Sequence, residues 1–422
     1  MEVGMVAEKY LQLKDTRSGI KNSKRMEALS AASLQSHLPY MLYLSSTPNP
    51  IPATFLRGGT SKGIFLNRSV LPAQQTQWDR IFLGIMGSPD PEHGRQLNGM
   101  GGGVSSLSKI CVVSEPTAEQ KAEGIDVEYT FVQVGIRDTS IDYSGNCGNL
   151  SSMIGVYALD EGICAPRDGT HATIRSFNTN TQKIIDTTFP LAEDGMPKLD
   201  LPEASVAGVP GKASQIILDF VNPGGARTGK LLPSGSPVTL LEIPLADGST
   251  RTVHASLVDA TNPTVFISHA ELNEFLPVED YIKGKQPAVE EVTRMLEVIR
   301  QQAAGEMGLD PSAQAQPKIA LLSAPDVEDD GVDIVIHALS MGVLHKAIPM
   351  TVGLCLGVAS KVEGTLAWDI VQRNQRVTKD LISIRHPGGV VDVGAEFAEG
   401  GSVKSAKVVR TGRRLMKGVV WW

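Results

Sequence analysis

The residue best placed by type and setting to do chemistry is Cys147, in the segment DYSGNCGNLSS at 142–152. Asn146 and Gly148 flank it, and apolar Leu150, Met153, Ile154 and Tyr157 follow at helical spacing, so the cysteine falls at the start of a predicted helix over 150–159. Unpaired backbone N–H groups and the positive dipole end at such a start bind anions, whether a thiolate or a carboxylate. Acid–base or nucleophilic chemistry is what this polar, glycine-flanked setting offers. Cys111, Cys164 and Cys355 lie among apolar neighbours and read as small buried hydrophobes.

A second candidate is Lys109, in NGMGGGVSSLSKICVV at 98–113, where the apolar run Ile110, Cys111, Val112, Val113 follows it and puts its ammonium at the edge of a core. A lysine there can exchange a proton with a substrate. A lysine snorkelling from a strand edge has the same local sequence, and the segment alone leaves both readings open. Gly99, Gly101 and Gly103 suggest a dinucleotide loop, but Val104 occupies the place of the last glycine of G-x-G-x-x-G and no strand leads in, so a Rossmann site is rejected. The third cluster, FLRGGTSKGIF at 55–65, is a glycine-rich turn with Arg57, Thr60, Ser61 and Lys62. It combines N–H groups, hydroxyls and cations that suit a carboxylate, or equally makes a tight turn with solvated basic side chains. The order G-K-[ST] is absent, which excludes a P-loop.

The elements that must position these groups alternate short β-branched runs, such as 53–56, 127–134 and 172–177, with glycine-rich loops and a few helices. A strand-rich α/β mixture is expected. HKAIPMT at 345–351 leads into a small-residue apolar stretch over 352–362, a second loop-to-helix junction like that at Cys147, so two related domains are expected. The polar, proline-containing stretch over 193–211 is the predicted boundary, near 195–212. The division expected is an extension at 1–46, a first domain at 47–200 to which a strand at about 403–422 returns, and a second at 201–402. An amphipathic helix over 288–304, with Val289, Val292, Met295, Leu296 and Ile299 on one face, is expected to be scaffold.

With 422 residues the chain is too long for one ordinary core, and 41% hydrophobic with 20% charged residues is the composition of a compact globular protein. A net charge of -7 without a long basic run argues against nucleic acid as a partner. Four widely spaced cysteines without a C-x-x-C pair point to a reducing compartment and away from a redox or zinc site. No apolar run approaches the roughly 20 residues of a membrane span. A cytoplasmic location is expected. The extension carries Lys9, Lys14, Arg17, Lys21, Lys24 and Arg25, as a mitochondrial leader would, but Glu2, Glu8, Asp15 and Glu27 interrupt it and favour a simple tail.

Taken in order, RGGTSKGIF, GSPDPEHGRQLNGMGGGVSSLSK, DYSGNCGNLSS, DFVNPGGARTGKLLPSG, DATNPTVFI, HKAIPMT and IRHPGG resemble the 2-methylaconitate cis–trans isomerase (PrpF-like) family over about residues 50–417. The resemblance implies an α/β (α+β), diaminopimelate epimerase-like fold: two similar domains, each a curved sheet around a central helix, with the active site in the cleft between them. It also implies that Lys109 and Cys147 are the catalytic pair. In true epimerases of this fold a second cysteine faces the first. Here the matching junction reads Ile348-Pro349-Met350-Thr351, with Cys355 about one helical turn further on, which disfavours a two-thiol racemase.

The activity expected is a cofactor-independent, metal-free isomerisation of a small tricarboxylic acid such as aconitate or 2-methylaconitate, by proton abstraction and reprotonation. Ser61, Lys62, Ser105, Ser106, Asn146, Gly148, Asn149, His345, Lys346 and Thr351 are expected to hold substrate carboxylates. Asn262 and Lys230 are weaker candidates, and His386 in RHPGG reads equally as a turn histidine. The partner expected is a small polycarboxylate, with no nucleic acid and no membrane, and self-association is left open. The rivals are a non-catalytic aconitate-binding accessory protein and an amino-acid racemase or epimerase.

Overall fold

Twenty strands and a smaller set of helices make up the computed structural model, which describes residues 47–245, 248–326, 331–340, 342–373 and 380–422. The expected extension at 1–46 lies outside the described residues.

In the first half, β1 (Ile51–Gly58), β2 (Ser61–Asn67), β3 (Lys109–Ser114), β4 (Val127–Val134), β5 (Ile141–Asp142), β6 (His171–Asn178) and β7 (Lys183–Pro190) accompany the helices α1 (Trp78–Met86), α2 (Gly148–Ser151) and α3 (Ile154–Asp160). A small hairpin follows, β8 (Ala204–Val206) and β9 (Val209–Ala213), then β10 (Ile216–Val221). The second half contains β11 (Thr239–Pro244), β12 (Thr250–Ala260), β13 (Asn262–Ser268), α4 (Ala288–Glu306), β14 (Lys318–Ser323), β15 (Ile334–Ser340) and β16 (Val343–Leu344). After them come α5 (Met350–Ala359), β17 (Leu381–His386), β18 (Gly389–Phe397), β19 (Val403–Arg410) and β20 (Gly412–Val420).

The strand pairings repeat. In the first half β1/β2 is an antiparallel hairpin, β2/β3 is parallel, β3/β4 antiparallel, β4/β6 parallel and β6/β7 antiparallel. In the second, β12/β13, β13/β14, β14/β15, β15/β17 and β17/β18 follow the same sequence of senses. Each run inserts its inner helix at the same place: α2 and α3 before β6, α5 before β17. The antiparallel pairs β7/β10 and β10/β19 join the two runs into one sheet, and β20 returns from the C-terminus to pair with β1.

Apolar side chains explain the layering. Strands β3 and β13 are buried along nearly their whole length, the pattern of strands covered on both faces. Leu150, Ile154, Val156 and Tyr157 of α2 and α3 join Val352, Leu354, Leu356 and Val358 of α5 in one inner core. Outside it, Trp78, Ile81, Phe82 and Ile85 of α1 share a cluster with alternate residues of β2, β3 and β4, and Val292, Leu296 and Ile299 of α4 cover β11 and β14. Helix α4 covers the predicted 288–304 and lies in this outer layer, as scaffold. Helix α5, with every residue from Val352 to Ala359 buried, shows no polar face because β-strands surround it.

Candidate active site

The candidate site lies where the two inner helices begin. At the first, Asn146 Oδ1 accepts the Cys147 N–H at 2.8 Å and the Tyr129 hydroxyl at 3.2 Å. Ser151 Oγ bonds both Tyr129 and the Cys147 carbonyl. Cys147 thereby takes the N-cap position of α2 in extended backbone conformation. Its Sγ lies 3.7 Å from Ser61 Oγ on β2. The β1–β2 turn closes on the helix start through Asn149 Nδ2, which donates to Thr60 Oγ1 at 3.1 Å.

The second helix start uses the same device. Thr261, between β12 and β13, has a φ of 64° and donates through Oγ1 to the Thr351 carbonyl at 2.9 Å, tying that hairpin to α5. The two starts abut, because a Cβ added at Gly148 would meet Met350 Sδ at 2.2 Å.

Lys109 opens β3 and is 8% exposed. Its Nζ donates to Gln133 Oε1 on β4 and lies 5.0 Å from the centre of the Phe131 ring. Cys111, two residues along and so on the same face, is wholly buried. Burial pushes its thiol well up, the neighbouring Cys147 pushes it further, and Lys109 opposes both. Lys109 at the start of β3 and Cys147 at the start of α2 are thus both within electrostatic reach of Cys111.

Beside them is a cavity of about 420 Å³ lined by Thr60, Asn149, Met350, His386 and Arg410, among others. Neither Lys109 nor Cys147 lines it; it reaches the helix starts through Asn149 and Met350. The segment expected as a domain boundary contributes the β8–β9 hairpin, whose Ala204, Val206 and Lys212 form part of the wall. His386 is nine-tenths buried, and its Nδ1 accepts the Gly388 N–H at 3.1 Å, so it both caps the β17–β18 turn and faces the cavity. Burial, the Arg410 cation and His345 push its pKa down to about 4.

The structure gathers only some of the residues expected to hold substrate. Ser61, Asn146, Gly148, Asn149 and Thr351 meet at the two helix starts. His345, whose Nδ1 accepts the Ala347 N–H, is within electrostatic reach of His386. Lys62 follows Ser61 in a strand and takes the opposite face, its Nζ over the Phe55 ring at 5.7 Å. Ser105 and Ser106 form a short 3-10 turn ahead of Lys109, with Ser105 exposed, and its carbonyl accepts from Gln133. Asn262 Oδ1 is taken by Gln316 Nε2 at 2.9 Å, while Lys230 and Lys346 are exposed.

Sequence reasoning missed Arg410 and Gln133. Nothing local marks either: Arg410 ends a strand that already carries Lys404 and Lys407, and Gln133 is one polar residue in an alternating one. Cys355, the thiol one turn into α5, is wholly buried and donates to the Val258 carbonyl at 3.4 Å. Burial pushes it up to about 12, and Met350 stands where an opposing cysteine would be needed. Among the described residues no three His, Cys, Asp or Glu side chains cluster as a metal site, and no helix is long and apolar enough to cross a membrane.

Two successive runs of one strand topology, each built round an inner helix, make the doubled, strand-rich α/β architecture of this chain, with Cys147 at the start of the first inner helix and Lys109 at the start of β3. The chain belongs to the PrpF family, whose model, described as PrpF protein, matches residues 49–422. It is 34% identical to 3-methylitaconate isomerase of Eubacterium barkeri over 88% of this chain and 97% of the relative. It is 33% identical to 2-methyl-aconitate isomerase of Shewanella oneidensis, over 88% and 96%, and 31% identical to 4-oxalomesaconate tautomerase of Pseudomonas putida, over 88% and 95%. Among solved structures, that of a methylitaconate-delta-isomerase matches with a TM-score of 0.78 at 33% identity, covering 89% of this chain and 96% of the other.

Proposed function

We propose that this protein moves the double bond, or inverts its geometry, in a small unsaturated polycarboxylic acid of the aconitate or 2-methylaconitate type, with Lys109 and Cys147 as the proton-transferring pair. The observation that carries this reading is the placement of a nearly buried lysine at the start of β3 and of a cysteine at the N-cap of α2, its Sγ 3.7 Å from Ser61 Oγ, with a cavity that holds a buried arginine reaching the same helix starts. The relatives support the substrate class, because 3-methylitaconate, 2-methyl-aconitate and 4-oxalomesaconate are all unsaturated polycarboxylates.

In such an acid a CH2 or CH group adjoins both a carboxylate and a C=C bond. A base removes its proton, the C–H electron pair spreads into an extended dienolate, and an acid returns a proton to the far carbon. Rotation before reprotonation changes cis to trans. One base and one acid suffice, given donors that stabilise the developing charge, and no redox step arises.

Proton NMR of cis-aconitate and 2-methylaconitate with the pure protein in deuterated water tests this. Turnover is expected to place solvent deuterium at the formerly vinylic carbon, and full activity is expected after exhaustive dialysis against chelator. Tricarballylate, which lacks the C=C bond, is expected to bind without reacting, because its carbanion cannot delocalise. Exchange into tricarballylate as fast as into aconitate would replace the allylic mechanism with simple carbon-acid epimerisation. Binding of aconitate without any turnover would favour the accessory-protein reading.

A further inference from the structure

The cavity contains a cation with no carboxylate partner among the described residues. Arg410, the last residue of β19, is 8% exposed. Its Nε donates to Asn149 Oδ1 at 3.0 Å and its Nη1 to the Val409 carbonyl at 2.8 Å. Both acceptors are neutral, and the guanidinium has five N–H donors in a planar fork, so these bonds leave the Nη2 end for another partner. Among the described residues no Asp or Glu forms an ion pair with it. The two carboxylates that share the cavity wall are engaged elsewhere: Glu203 accepts the Gln215 N–H and Asp392 accepts the Ser383 hydroxyl.

An unpaired buried charge is costly unless a ligand completes it. Arginine is the side chain whose fork matches a carboxylate in two-point contact. His386 lines the same wall. Because its Nδ1 accepts from the Gly388 N–H, the ring proton of the neutral form lies on Nε2 and is available to donate. Burial, first, and the neighbouring Arg410 cation and His345 hold that ring neutral at pH 7. A cavity of about 420 Å³ is ample for an acid of six or seven carbons.

We propose that Arg410 is the fixed carboxylate-binding cation of the substrate site and that His386 donates a second hydrogen bond to the same acid, so that the pair selects polycarboxylates. The identity of the acid rests on the isomerase reading above; the existence of the carboxylate site does not. Asn149 has a positioning role here, since it orients the guanidinium through Nε while its amide holds the β1–β2 turn.

Calorimetric titration of the full chain with tricarballylate, which is expected to bind without reacting, separates the two ideas. Wild-type protein is expected to bind it. Arg410→Gln is expected to weaken binding about 100-fold and His386→Ala about 10-fold, the usual scale for losing a charge-assisted bond in a desolvated site. Arg410→Lys, which keeps the charge without the fork, is expected to lose about 10-fold. Asn149→Asp changes no volume but places a carboxylate on Nε, and it is expected to compete with the ligand and weaken binding at least about 10-fold. It also carries the test should Arg410→Gln fail to fold by circular dichroism. Equal affinity in wild type, Arg410→Lys and Asn149→Asp, or no binding by wild type, overturns the proposal. Arginine-dependent binding with no turnover of any unsaturated acid leaves the carboxylate site standing and removes the isomerase reading instead.

Discussion

Lys109→Ala and Cys147→Ala are each expected to fold and to lose at least about two orders of magnitude in turnover, the scale for removing a positioned acid or base. The Cys147 thiol is only partly buried and makes a long contact to Ser61, so its loss disturbs the core little. Lys109 is more deeply placed, and truncation strips Gln133 Oε1 of its donor at a cost of about 1–3 kcal/mol. Lys109→Met, which keeps the stem over Phe131, separates that packing contribution from the loss of the amine. Steady-state rates on the acid that turns over, with unfolding midpoints for each variant, decide the matter. Near-wild-type rates in both alanine variants would remove the pair from the chemistry and leave the cavity groups to account for it. A rise in KM with kcat unchanged would make them binding groups only.

The second large effect is on the architecture of the site. Gly58→Ala is expected to destabilise the protein by about 1–3 kcal/mol, the range for overpacking a filled position. A Cβ there would lie 2.2 Å from the Asn149 carbonyl oxygen and 2.8 Å from Ser152 Oγ, and backbone oxygen cannot swing aside as a side-chain tip can. To accommodate the methyl group the β1–β2 turn must lift from the start of α2. That separates Ser61 from Cys147 and Thr60 from Asn149, so activity is expected to fall with stability. Gly305→Ala is the matched control: nothing lies within 4 Å of its Cβ position, and alanine in place of glycine in α4 is expected to be neutral or stabilising by up to about 1 kcal/mol. Urea midpoints of the two variants measure the contrast. Equal midpoints would mean that the turn and the helix start are not mechanically coupled.

Much of this arrangement could be read from the chain alone, and the legible parts share a physical property: each is local. Glycines in RGGTSK, the asparagine-cysteine-glycine run before an apolar helix, and the lysine ahead of ICVV act through neighbours a few residues away, so spacing is enough to find them. The second loop-to-helix junction at 345–351 was visible for the same reason, and the structure places α5 there, in the position that α2 and α3 occupy in the first half. The boundaries of the helices were less legible. The inner helix expected over 150–159 begins at Gly148 and is interrupted after Ser151, and that expected over 352–362 begins at Met350 and ends at Ala359, because caps and tertiary contacts decide the last turn.

What the linear pattern could not supply was which polar groups meet. Lys62 adjoins Ser61 in sequence, yet strand alternation sends them to opposite faces of the sheet. Arg410 reaches Asn149 across 261 residues because β19 is drawn against β10, where the two runs of strands join. The types of chemistry this chain can do were set by short motifs, since turns, helix starts and buried strand edges are short-range consequences of residue type. The site itself, with its buried cation, its neutral histidine and the abutting helix starts at Gly148 and Met350, was decided only by long-range strand pairing, which no local spacing encodes.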